Sequence, residues 1–237
     1  MMVLNTIVAN QLEQFKKDYD EERLNDTSKK EGIVVKILKR YIGGFKDILF
    51  EGNGYSQEWI EEASRRGLSN VSSTPEALKL YLRPEFIELL ESKNILNKTE
   101  ILARYNIELL NYVKKVQIES RVIGDLAQNH IVPTAINYQS SLIKNAKNLR
   151  EIGLEQESEP IVSIVKKISD HVKNISLFVF EMTEKRKSAN ALSDLEAQAK
   201  IYSEEVKPYF KKIRYHVDKL ELIIDDNQWP LVKYREM

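Results

Sequence analysis

Residues 126–143, LAQNHIVPTAINYQSSLI, carry no formal charge, although 30% of the 237 residues of this chain are Asp, Glu, Lys or Arg. Three structures accommodate such a run: a membrane span, a disordered polar tract, or a helix enclosed by other helices. A span needs about 20 mostly apolar residues, and Gln128, Asn129, His130, Asn137, Gln139, Ser140 and Ser141 would each need a partner in lipid. A disordered tract does not fit Leu126, Ile131, Val132, Ile136, Tyr138, Leu142 and Ile143, which are too much apolar surface for a segment that stays unfolded. The run therefore predicts a central, largely buried helix. Its polar side chains should bond to neighbours or trapped water, because an unpaired buried amide costs about 1 to 3 kcal/mol.

Charge narrows the partners. With 36 basic and 36 acidic residues the net charge is zero, so no overall field recruits nucleic acid or an anionic membrane. The absence of cysteine excludes disulfides and thiolate chemistry, and without a basic-then-apolar leader the chain is expected to be cytoplasmic. Only 8 Gly and 6 Pro, with few alternating β-branched runs, favour helices throughout.

In order along the chain, residues 2–24 place Leu4, Ile7, Val8, Leu12 and Phe15 on one helical face and become charged after Lys16. A polar loop at residues 25–31 should lead to a second helix over 33–50, in which Gly43 and Gly44 mark close backbone contact or a bend. Ser56 should cap a short helix ending at Gly67, Thr74 one that starts at Pro75, and Pro84 should open another. From Thr99 as cap, apolar residues at steps of 3, 4 or 7 run through Tyr105, Leu109, Tyr112, Val116 and Ile123 into the uncharged stretch, with a kink expected at Pro133 and an end at Gly153. At about 1.5 Å per residue that arm would span roughly 80 Å. Two long partners should follow, one started by Pro160 with Ile161, Ile164, Val165, Ile168, Val172, Ile175, Val179 and Met182 as its stripe. The other would be capped by Ser193 with Glu196 and bent at Pro208. Trp229, in a short tail, should dock rather than face water. The fold class is all-α: an elongated bundle of long antiparallel helices over residues 98–237, preceded by shorter packing helices over residues 1–97.

Site chemistry is sparse. A metal site in a bundle wants Glu-x-x-His on facing helices. The residues three before His130, His171 and His216 are instead Ala127, Ile168 and Ile213, so these histidines are expected as hydrogen-bonded groups in or beside the seams. Asp125 and Glu119 are single acids on different faces, Asp225 and Asp226 an exposed pair at a helix end, and Gly52-x-Gly54 lacks the third glycine and the Lys-Ser/Thr of a phosphate loop. No residue is assigned a catalytic, cofactor-binding or metal-binding role.

The segments LNTIVANQL (4–12), FEGNGYSQEWIEEASRRGLSN (50–70), STPEAL (73–78), IESRVIGDLAQNHIVPTAINYQ (118–139) and VKPYFKKIRYHVDKLELIIDDNQWPLVKYRE (206–236) together resemble the C-terminal part of type III glutamine synthetase. The resemblance implies a parent reaction that joins ammonia to glutamate at the expense of ATP, with magnesium or manganese held by carboxylates. The groups for that chemistry would lie on chain preceding the residue matching Leu4. None of the family's catalytic or metal motifs falls on a position here, so neither ATP nor a divalent metal is expected in this chain alone. The expected partners are the N-terminal catalytic portion of the parent and further copies in an oligomer, with no nucleic acid and no membrane. The chain then looks like an excised C-terminal fragment or a truncated reading frame that serves packing and subunit assembly. In isolation, the apolar face over residues 4–12 would be either exposed or repacked in an oligomer. The alternative is a free-standing helical interaction or regulatory module derived from the same family, with an effector pocket lined by polar residues of 126–143.

Overall fold

The computed structural model describes residues 1–25 and 29–233, and every described element is helical. The chain divides into two compact units, Met1–Tyr105 and Asn106–Met237.

The first unit contains α1 (Met2–Asn25), α2 (Lys30–Gly44), α3 (Gln57–Arg65), α4 (Thr74–Leu78) and α5 (Pro84–Ser92). The charged half of α1 fastens α2: Tyr41 and Arg40 donate to Asp18 at 2.7 and 2.6 Å, Lys36 donates to Glu22 at 2.6 Å, and Phe15 meets Tyr41 edge to face. The apolar half has no such cover. Leu4, Val8 and Leu12 remain exposed, the first of the two outcomes expected of this helix by itself. The expected loop at residues 25–31 falls partly outside the described residues, and Lys30 and Glu31 already belong to α2. That helix stops at Gly44 instead of running to Phe50. A Cβ at Gly43 or Gly44 would meet open space, so the pair makes no close contact. Two successive residues that each cost about 1 kcal/mol relative to alanine end the helix instead.

Capping follows side-chain geometry. Ser56 accepts from the Trp59 amide at 3.3 Å, and Gly67, at φ +70°, closes α3 with the Leu68 amide on the Ala63 carbonyl at 2.8 Å, as a C-terminal glycine should. Ser73, not Thr74, occupies the cap position of α4. Asn97, not Thr99, caps α6 (Lys98–Asp125): its Oδ1 accepts from the Glu100 amide at 2.9 Å while Glu100 reaches back to the Asn97 amide at 2.8 Å.

In the second unit α6 continues through a π turn, Leu126–Ile131, into α7 (Val132–Glu151). After a turn in which Gly153 sits at φ +86°, α8 (Glu155–Asn190) follows. Then come α9 (Leu195–Ile201), a second π turn (Tyr202–Val206) and α10 (Pro208–Glu221). Both π turns immediately precede the prolines at which bends were expected. Val132 bonds to the Ala127 carbonyl, and Lys207 to the Tyr202 carbonyl at 3.0 Å. Each bond spans five residues rather than four. Widening the turn takes up the missing proline N–H and the clash of its ring with the preceding turn, so the helix goes on.

The core of this unit is a seven-residue repeat. Ile168, Ile175, Met182 and Ala189 on α8, and Ala199, Val206, Ile213 and Leu220 along α9, the second π turn and α10, are all buried, as a seam between antiparallel helices requires. Ala127, Ile131 and Ala135 add the third side. The uncharged run is not largely buried: Gln128, Asn129, His130, Ile136 and Ile143 are exposed. In this unit helices pack on one side of it, and the small residues Ala127, Ala135 and Ala146 mark that side. Of its amides, Gln139 donates to the Val165 carbonyl at 2.9 Å and to Ser169 at 2.5 Å, and Asn129 donates to Asp125 at 2.6 Å.

Two more boundaries differ from expectation. Helix α8 starts five residues before Pro160, because Ser158 Oγ donates to the Glu155 carbonyl at 2.6 Å and accepts from Arg150 at 2.9 Å, which locks the first turn early. The carbonyl left without its proline partner is that of exposed Gln156. Asp194, not Ser193, caps α9 by accepting from the Glu196 amide at 3.1 Å. The tail docks as expected. Trp229 is 8% exposed, and the Lys233 amine lies over its ring, bonds the carbonyls of Glu221 and Ile224 and pairs with Asp226.

Among the described residues one buried polar group is left over. The Tyr112 hydroxyl has no hydrogen-bond partner, so Tyr112→Phe should leave stability unchanged or raise it by about 1 kcal/mol, because it removes a desolvated donor and keeps the ring. Chemical unfolding of the two proteins checks this. A loss of that size would mean that the hydroxyl is satisfied.

Candidate functional site

Helix α10 buries one face against α8 and presents two clefts along its sides. One, of about 690 Å³, lies between α10, the π turn at Leu126–Ile131 and the tail, with Ile123, Leu126, Ala127, Val217 and Trp229 among its walls and Lys211, Arg214, Asp218 and Glu221 at its rim. Its walls are apolar. From the uncharged run it takes Leu126, Ala127 and Ile131, none of the polar residues expected to line a pocket. The other, of about 760 Å³, lies between α10 and Phe178 of α8.

Between α8 and α10 sit the two histidines that the sequence placed 45 residues apart. Their Nδ1 atoms are 2.9 Å from each other and the ring centroids 5.1 Å. That centroid distance is near the largest a 2.9 Å Nδ1 contact allows, so the rings point at each other along the N–N line. One ring donates and the other accepts. Lone pairs converging on a common metal would instead lean away from that line. His130, expected in or beside a seam, is exposed on the π turn.

Burial holds both rings below the usual histidine value. For His171, Asp170 opposes the shift and Lys219 adds to it; for His216 the neighbouring ring adds to it. Tyr215 also packs edge-on against His216, and Lys212 lies over the adjacent Tyr209 and Phe178 rings. A first proton can enter at the outer nitrogen of the donating ring with the contact intact, but a second sets two imidazolium rings nose to nose. Because the folded values are lowered, the stability these groups supply is complete above the unfolded value near 6.5 and is lost as pH falls through the folded values. Unfolding midpoints should therefore drop between pH 7.5 and 5.5, and His216→Gln should flatten that slope. A slope unchanged by the substitution would contradict the assignment.

Carboxylate-held metal does not fit these residues: among the described residues no three His, Asp or Glu side chains converge. Asp125 accepts from Asn129, Asp225 turns back on the Asn227 amide at 2.8 Å, Asp226 pairs with Lys233, and Glu119 is exposed. The Gly52-x-Gly54 turn is closed by Ser56 donating to the Asn53 carbonyl at 2.8 Å. No helix among the described residues is long and apolar enough to cross a membrane.

Comparison with known proteins gives the class. The family described as "Glutamine synthetase C-terminal domain" matches residues 33–150. A glutamine synthetase of Bacteroides fragilis (strain YCH46) is 45% identical over 241 residues, covering all of this chain and 33% of the relative. A type-3 glutamine synthetase of Dictyostelium discoideum is 29% identical over 242 residues, again covering all of this chain and 32% of the relative. A glutamine synthetase of Butyrivibrio fibrisolvens is 27% identical over 205 residues, 86% of this chain and 29% of the relative. The chain spans about a third of the length of the curated relatives it matches. The chain is thus similar to glutamine synthetases over about a third of their length, the matching family is that of their C-terminal domain, and one of the relatives is of type 3.

Proposed function

We propose that the chain is the non-catalytic helical region of a type III glutamine synthetase, serving packing and subunit assembly in a cytoplasmic enzyme that joins ammonia to glutamate with ATP. The observation that carries this reading is the coverage: full-length similarity to relatives about three times as long, with the C-terminal domain as the matching family. ATP and divalent metal would be handled by the other two thirds of such an enzyme. The open apolar stripe of α1 supports the reading, since Leu4, Val8 and Leu12 suit a helix that lies against further chain.

A chimera tests it. The corresponding third of the Bacteroides fragilis enzyme is replaced by residues 1–237, and assembly and glutamine formation are followed together. The reading expects an assembled, active chimera, and a catalytic portion that fails to assemble without this third. Full assembly of the catalytic portion alone would overturn it.

A further inference from the structure

A ridge of α10, exposed at Lys211 and Arg214 and half-buried at Asp218 and Glu221, has a charge order that suits a copy of itself. Lys211, Arg214, Asp218 and Glu221 follow at steps of three, four and three, so they share one face of the helix. The two cations occupy its N-terminal half and the two anions its C-terminal half, with centres about 10 Å apart at 1.5 Å rise per residue. Rotating a second α10 by half a turn about an axis through the middle of the ridge brings the cations of each copy against the anions of the other. An isologous contact is built in this way, from one patch used twice.

Shape agrees with charge. The ridge stands between the two clefts, about 690 and 760 Å³, so each copy offers a ridge and the grooves for another to enter. Apolar side chains stand open nearby: Leu222 is 80% exposed, and Val232 and Tyr215 are also largely open. The Arg214–Asp218 pair within the ridge is long, 3.6 Å, and exposed, so this contact by itself is weak. A small ion of either sign finds no excess of the opposite charge here, and an anionic membrane would meet as many acids as bases.

We propose that this ridge is a two-fold contact between copies of the chain, with antiparallel α10 helices. The proposal rests on the assembly reading above and names its surface.

Sedimentation of the 237-residue chain tests it with two double variants, K211E/R214E, which makes the ridge wholly acidic, and D218K/E221K, which makes it wholly basic. The wild type should associate reversibly and less so at high salt, since the pairs are screened. Each variant alone should sediment as a monomer with unchanged helix content, and an equimolar mixture should recover a one-to-one pair. The quadruple variant, with the charge order reversed but still self-complementary, should associate like the wild type. Association that persists equally in both double variants would overturn this surface while leaving the assembly reading standing. A wild type that stays monomeric at every concentration would overturn the contact; the assembly reading would fail with it only if the chimera also failed to assemble. Association that appears only when the catalytic portion of the relative is added, and is lost in both variants, would assign the ridge to that portion and likewise overturn the two-fold contact.

Discussion

Tyr202→Ala should cost about 3 to 5 kcal/mol of unfolding free energy, and Tyr202→Phe only about 1 kcal/mol. Tyr202 is wholly buried at the start of the second π turn. Its hydroxyl donates to Asn190 Oδ1 at 2.8 Å, and the same oxygen accepts from Gln117 at 3.0 Å. Removing the hydroxyl leaves that oxygen with its second donor, so the phenylalanine variant loses one bond and creates no orphan. Removing the ring opens a cavity where α8 meets the turn that accommodates Pro208, and a widened turn has fewer ways to close around a void than a regular helix. Denaturant unfolding of the three proteins separates the two terms. Equal losses for Phe and Ala would mean that the hydrogen bond, not the packed ring, holds this turn.

The second large effect lies on α8. Ile175→Ala should cost about 2 to 5 kcal/mol and Ile175→Val about 0.5 to 1.5 kcal/mol, whereas Leu177→Ala, two residues on, should change stability by no more than about 0.5 kcal/mol. Ile175 is fully buried in the seven-residue repeat with Ile168 and Met182; Leu177 is 44% exposed on the other side of the same helix. Both are large aliphatic residues in one helix, so intrinsic helix preference does not separate them. Only the register of the seam does. Similar losses at both positions, again read by unfolding, would show that the buried stripe is drawn one face off.

That register was legible in the sequence because a repeat of seven is the pattern that facing helices impose. Ile168, Ile175 and Met182 fall within the stripe that the spacing marks, while Ile161, Ile164, Val165, Val172 and Val179 in the same stripe are only half-buried. Single-residue signals were less secure. Ser72, Ser73 and Thr74, like Ser193 and Asp194, are adjacent residues of which any can cap a helix, and Asn97 competes with Thr99 at a distance of two. The winner depends on which side chain reaches a free amide. Pro160 carries the mark of a helix start but lies inside α8, because Arg150, eight residues before Ser158, fixes the turn from outside the local window. Pro133 and Pro208 announced an interruption, and the widened form it takes has no compositional signature.

The uncharged run teaches a different lesson. Lack of charge predicts a largely buried helix, yet Gln128, Asn129 and His130 face outward and only a narrow alanine-rich side is buried. An uncharged polar surface is compatible with water as well as with a neighbour. The histidine pair was legible only in part. Both rings were placed near a seam, but their meeting depends on the relative register of α8 and α10, which periodicity leaves open by whole turns.

Titration calorimetry of this chain with magnesium, ATP and glutamate tests the central claim most directly: that residues 1–237 form helical scaffold, and that phosphate chemistry belongs to the remainder of a larger enzyme. The account predicts no binding heat with any combination of the three. Saturable, magnesium-dependent uptake of ATP at one site per chain would contradict it.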